Sequence, residues 1–149
     1  KMAVFADPSG AVFAVWQAGT MPGAELKVEN GSFGWAELMT RDPASAKTFY
    51  PSALGVTARD IDYAEGVYTL WEVGGQPEAG MYQVTADEPP RWMVYFNVDD
   101  PDAVAAKAEQ LGGTVAVPPT DTPAGRFAAI DDPQGAYFSV IKPDPDYRP

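Results

Sequence analysis

Three short stretches set side chains capable of chemistry at alternate positions: Trp35, Glu37 and Met39; Met93, Tyr95 and Asn97; Tyr137 and Ser139. In an extended strand, alternate residues share a face, so each set is one polar-aromatic surface. The chain contains neither histidine nor cysteine. Imidazole bases, thiolate nucleophiles and the commonest transition-metal ligands are therefore excluded. Acid–base work falls to Glu37, with Tyr95 or Tyr137 as partner. A carboxylate between Trp35 and Met39 is costly to bury without a counter-charge, which Arg91, Arg126 or a cationic ligand would supply. To act as a general base, Glu37 would need burial to raise its pKa. A salt bridge without chemistry is the competing use of the same residue.

The elements that must position these side chains follow from punctuation. Asp42-Pro43 and Asp100-Pro101 lie 58 residues apart, each between an apolar strand-like run and a helical pattern. Asp caps a helix and Pro suits its first position, where a missing N–H leaves nothing unsatisfied. Ala46, Phe49, Tyr50, Ala53 and Leu54 form one apolar stripe of the first helix. Pro51 should loosen or kink its last turn, and Gly55 should stop it. Val104, Ala108 and Leu111 share a face of the second helix, which Gly112-Gly113 closes. Strands are expected over residues 58–63, 67–73 and 79–83, then 114–117, 126–130 and 136–141. Residues 85–91 read as a polar link and 118–125 as a proline-rich rim loop. Ala36 and Leu38, Val94, Phe96 and Val98, and Phe138 and Val140 are assigned to the core faces. Each half is a βαβββ module, and the fold class is α+β.

A longer repeat sets the domain limits. Residues 1–15 (KMAVFADPSGAVFAV) match residues 126–140 (RFAAIDDPQGAYFSV) without a gap, keeping Ala, Asp, Pro, Gly, Ala, Phe and Val in register. Each copy is a hairpin around an Asp-Pro-x-Gly turn. Residues 1–16 are accordingly expected to be the last hairpin of a preceding, mostly absent domain, and 17–31 a linker. The complete domain covers 32–143, as modules 32–85 and 91–143, followed by a tail, 144–149. Such a hairpin is marginal alone and has open edges. It is expected to pair with the missing first domain or with a second copy of the chain.

Ten Lys and Arg against 21 Asp and Glu give a formal charge of −11. That acidity disfavours nucleic acid and anionic membrane as partners. No apolar run approaches the ~20 residues of a membrane span, and the first residues lack the pattern of a signal peptide, so a cytoplasmic protein is expected. Fourteen Gly and 15 Pro in 149 residues favour frequent turns over long helices.

The duplicated βαβββ plan, the strand ending in Asp, Phe49-Tyr50 followed by Leu54-Gly55, and the closing Gly125-Arg126 and Asp132-Pro133-Gln134-Gly135-Ala136 together resemble the vicinal oxygen chelate superfamily. This is the group of glyoxalase, bleomycin-resistance proteins and extradiol dioxygenases. The chain is particularly similar to actinobacterial-type proteins with two such domains in tandem, described as glyoxalase-like or hydroxylase-like. The resemblance implies a curved, cup-shaped mixed sheet with helices on its outer face and ligand inside the cup. It places metal ligands of relatives at Trp35, Met93, Ser139 and near Gly80 or Met81. These are poor donors for a divalent cation, so no metal and no cofactor are expected. The cup would be lined by Trp35, Met39, Met93, Asn97, Ser139 and Arg126 as ligand contacts, with Glu37, Tyr95 and Tyr137 as the catalytic set. Three functions stay open: a cup binding a small organic ligand, aromatic or cationic; a metal-free hydroxylase-, lyase- or isomerase-like enzyme using Glu37; and an interaction domain with its cup filled by protein.

Overall fold

The structure is a computed structural model that describes residues 1–64 and 66–148; Glu65 and Pro149, the last residue of the expected tail, lie outside the described residues. It contains β1 (Met2–Ala6), β2 (Val12–Trp16), β3 (Phe33–Thr40), α1 (Pro43–Leu54), β4 (Thr57–Tyr63), β5 (Gly66–Val73) and β6 (Gln76–Gln83). There follow β7 (Arg91–Asn97), α2 (Pro101–Gln110), β8 (Thr114–Thr122), β9 (Gly125–Asp131) and β10 (Tyr137–Pro143). Both modules are therefore βαβββ, and the chain is α+β with mixed sheets. Among the described residues no helix is long and apolar enough to cross a membrane.

Two compact units are present. The first holds Lys1–Glu25 and Ala36–Trp92; the second holds Leu26–Trp35 and the chain from Met93 onward. In the first, the strands run in the order β4-β5-β6-β3, with β6 returning parallel to β3. In the second they run β7-β10-β9-β8, with β10 parallel to β7. Each helix packs on its own module's sheet.

The helix starts follow the capping chemistry. Asp42 accepts the Ser45 N–H at 3.0 Å, and Asp100 accepts that of Ala103 at 3.0 Å. Pro51 does not end α1. The helix continues to Leu54, and Gly55, at φ 71°, donates its N–H to the Pro51 carbonyl at 2.9 Å. The β5–β6 hairpin turns on Gly74 and Gly75, both at positive φ, as a two-residue hairpin turn requires.

Two expectations need correction. Residues 118–125 are not a rim loop, since β8 runs on to Thr122. Its pairing with β9 is irregular between Val115 and Thr120, which is where Pro118 and Pro119 fall. Proline is tolerated there because an edge strand with a broken ladder asks it for no N–H. Phe96 is not a fully buried core residue. It is 37% exposed and meets Phe138 edge-to-face with ring centres 6.0 Å apart.

The N-terminal hairpin packs within the first unit. Ala11 is fully buried with Leu38, Ala46, Tyr50, Trp71 and Met81. The ring of Phe13 lies 6.1 Å from Phe49 and 5.5 Å from Tyr50. Asp7 ties the parts together. One oxygen accepts the N–H groups of Ser9 and Ala11, both at 2.9 Å, and the other accepts the Tyr50 hydroxyl at 3.0 Å. Tyr50 in turn accepts from the Trp92 indole at 2.9 Å. The outer strands stay exposed, including Met2, Val4, Val12 and Trp16.

Burial pushes the Tyr50 phenol well above its ordinary value, the Trp92 N–H opposing and the Asp7 carboxylate adding to the rise. The folded chain thus keeps a proton that the unfolded chain releases near pH ~10. Stability from this group is complete below that pH and declines as pH climbs toward the folded value. Melting temperatures measured from neutral to strongly alkaline pH should fall more steeply for the wild type than for Tyr50→Phe; parallel curves would contradict this.

Candidate functional site

The first unit carries Glu37 and Met39, 6% and 1% exposed. Glu37 stands opposite Gly80 in the parallel β3–β6 pair. A Cβ at Gly80 would overlap the hydroxyl end of Tyr68. Directly paired residues share a face, so the Tyr68 phenol lies over Gly80 on the Glu37 side of the sheet. Tyr68 was missed in the sequence, although a glycine inside a strand is itself a sign of close approach. The arrangement sets a buried carboxylate and a half-buried phenol on one face of the sheet, the two residue types that acid–base chemistry uses.

The second unit carries Trp35, Met93, Tyr95, Asn97, Tyr137, Ser139 and Arg126. Met93, Asn97 and Ser139 are 3%, 4% and 0% exposed; Trp35, Tyr95 and Tyr137 are half-buried. Ser139 pairs with Tyr95 in the β7–β10 ladder and its hydroxyl donates to the Met93 sulfur at 3.1 Å. Asn97 is held through its backbone, which donates to the Ser32 carbonyl at 2.9 Å and accepts from the Gly31 N–H at 2.7 Å. Its side chain lies so close over Gly34 that a Cβ there would collide with the amide group. The Asn97 Nδ2 is buried and makes no hydrogen bond among the described residues. An unsatisfied buried amide donor is costly and calls for an explanation.

Arg126 does not point toward this cluster. Its guanidinium is engaged by Asp102 on α2, at 2.6 and 2.8 Å, and by Asp121 at 2.9 Å. The paired Arg126 holds the Asp102 carboxyl below the usual carboxylate range. It therefore links β9 to the start of α2, on the helix side of the sheet.

The positions that the resemblance assigned to metal ligands do not fit a divalent cation. They offer an indole, a thioether engaged by a serine hydroxyl, and Gly80 or Met81. Hard cations need carboxylate or carbonyl oxygen, and softer ones imidazole or thiolate. Among the described residues no three Asp or Glu side chains gather to form such a site.

Two βαβββ modules, each with its last strand returned beside its first and an alternating polar-aromatic face, define a paired-module α+β domain. Residues 32–140 match the family model described as Glyoxalase/Bleomycin resistance protein/Dioxygenase superfamily, and the chain belongs to that superfamily. It is 46% identical over 144 residues to the anthracycline biosynthesis protein DnrV of Streptomyces peucetius, covering 95% of this chain and 52% of that one. It is 45% identical over 152 residues to CFP32 of Mycobacterium bovis, whose name carries a provisional glyoxylase assignment, covering 97% and 57%. The chain thus spans about half the length of the curated relatives it matches. Among solved structures, methylmalonyl-CoA epimerase of Streptomyces coelicolor shares the fold at a TM-score of 0.55 and 14% identity, over 81% of this chain and all of that one. Homoprotocatechuate 2,3-dioxygenase of Brevibacterium fuscum does so at 0.52 and 16%, over 74% and 36%.

The Gly34–Asn97 contact predicts a specific coupling. Gly34→Ala should destabilise the chain by about 1–3 kcal/mol in urea unfolding, as overpacking does. The colliding atoms all lie beyond the Asn97 Cβ, so Asn97→Ala should recover most of that loss. Additive effects of the two substitutions would show that the contact is not the cause.

Proposed function

We propose that this chain binds a small organic ligand on the sheet face of its second module, without a metal, and that the ligand is a fused aromatic ring system. The observation that carries this reading is the buried Nδ2 of Asn97, a hydrogen-bond donor without a partner among the described residues. Met93, Tyr95 and Tyr137 stand on the same module and supply the polarisable and aromatic contacts that a flat ligand needs. A net charge of −11 favours a neutral or cationic ligand over an anionic one. The anthracycline role in the name of the Streptomyces peucetius relative supports a polycyclic aromatic ligand in particular.

One specific observation favours a second reading, that of an enzyme. Glu37 is buried beside Gly80, with the Tyr68 phenol over the same glycine. Under that reading Glu37 exchanges a proton with the substrate, and Tyr68 takes the role first given to Tyr95 or Tyr137. Turnover would resist a chelator and vanish in Glu37→Gln.

The open strands of residues 1–16 support pairing with a preceding module or with a second copy in the whole protein. The repeat of this hairpin at residues 126–140, whose strands are paired on both sides by β7 and β8, is the ground for that expectation.

Quenching of anthracycline fluorescence on titration with the chain tests the first reading. Saturable binding should weaken about tenfold or more in Asn97→Leu, since loss of one buried hydrogen bond is worth roughly 1–3 kcal/mol. An unchanged affinity, or no binding by the wild type to any fused-ring aromatic, would overturn it.

A further inference from the structure

The internal repeat makes one surface of the first module directly comparable with one of the second. With Asp42 matched to Asp100, Thr40, Ala46, Phe49, Tyr50 and Ala53 correspond to Val98, Val104, Lys107, Ala108 and Leu111. The rims correspond too. Arg41 donates to the Glu88 carbonyl at 2.9 Å in the first unit, and the Asp99 N–H donates to Asn30 at 3.2 Å in the second. Asn30 and Glu88 are again 58 residues apart.

In the first unit this surface is covered by the Asp7–Ala11 turn. The Ser9 and Thr40 hydroxyls are 3.1 Å apart, Asp7 accepts from Tyr50, and Ala11 is buried with Ala46. In the second unit the matching residues line an apolar groove of about 530 Å³, bounded by α2, Val98, Asn30 and Phe138. Leu111, on its wall, is 67% exposed.

The same chain displays a second turn of the kind that fills the first surface. Asp132 accepts the N–H groups of Gln134 and Ala136, both at 2.8 Å, as Asp7 does those of Ser9 and Ala11. Gly135 and Gly10 share the left-handed conformation, at φ 86° and 94°. Residues 133–136 are exposed. The turn is thus already folded in its docking shape, so little ordering entropy opposes association.

We infer that the groove on α2 receives the Asp132–Ala136 turn of a second copy of this chain. Charge favours this occupant. No phenol stands at the Tyr50 position in the second module, because Ala108 is there. Exposed Lys107 is its neighbour and offers a cation to the Asp132 carboxylate in place of the hydroxyl that Asp7 receives. Phe138 lines the groove where the ladder register puts the small Ala79 in the first module. The groove is therefore shaped for the turn rather than for the strand that follows it. Each copy carries both turn and groove, and the reciprocal pairing of two copies is a twofold dimer.

The chain has no cysteine, so engineered thiols report without background. Chains bearing Lys107→Cys and differently tagged chains bearing Gln134→Cys should form a mixed disulfide on mild oxidation. Glu109→Cys, pointing to another side of α2, should not. In sedimentation velocity the wild type should dimerise with rising concentration, and Leu111→Glu should weaken that dimer about tenfold or more without lowering the melting temperature. A chain that stays monomeric at high concentration overturns the inference. So does a dimer that Leu111→Glu leaves intact, which would assign association to residues 1–16, and so does cross-linking no better at 107 than at 109.

Discussion

The carboxylate of Asp7 is the constraint on which the first unit depends. A buried carboxylate is tolerable only when its lone pairs are taken. Here two backbone N–H groups and a phenol take them, and that phenol is fixed by an indole. Through three side chains and two N–H groups of the turn, the hairpin, α1 and the first residues of β7 are held to one geometry. The rings of Phe13, Phe49, Tyr50, Trp71 and Trp92 then close around it at edge-to-face and tilted angles. The residues that an isolated hairpin would leave to water become the inner layer of a neighbouring module.

The same turn is used twice with different surroundings. At Asp132 the internal hydrogen bonds are those of Asp7, yet the turn's residues 133–136 stay exposed. Local sequence therefore sets the shape of the turn, and its neighbours decide whether it is a surface or a core. That division also explains why apolar residues on β1 and β2 can be exposed on one side while Ala11 is wholly buried on the other.

The faces assigned to ligand binding differ in how they are satisfied. On the second module a hydroxyl meets a thioether, and an amide donor is left without a partner above a glycine. On the first, a carboxylate lies beside a glycine that a phenol overhangs. In each case the glycine inside β3 or β6 is what allows a polar side chain to approach the backbone, because any Cβ would occupy that space. Polar groups are thereby placed at depth on sheets whose other face packs under a helix.

Much of this fold was legible in the residues. Asp-Pro pairs marked both helix starts, because capping and proline placement are local backbone chemistry, and the hairpin repeat fixed both turns. Alternation sorted Leu38 and Val140 to the helix side, where both are buried. The tertiary structure alone decided the rest. Arg126 went to Asp102 and Asp121, and not to the sheet face, because long-range partners of a flexible guanidinium are not encoded in spacing. Pro118 and Pro119 entered a strand because only the sheet order reveals that β8 is at an edge. Asn97, Glu37 and Tyr68 acquired their settings from glycines on other strands, 63, 43 and 12 residues away along the chain. Sequence periodicity determines which face a side chain takes; what stands opposite it is determined only when the strands are laid side by side.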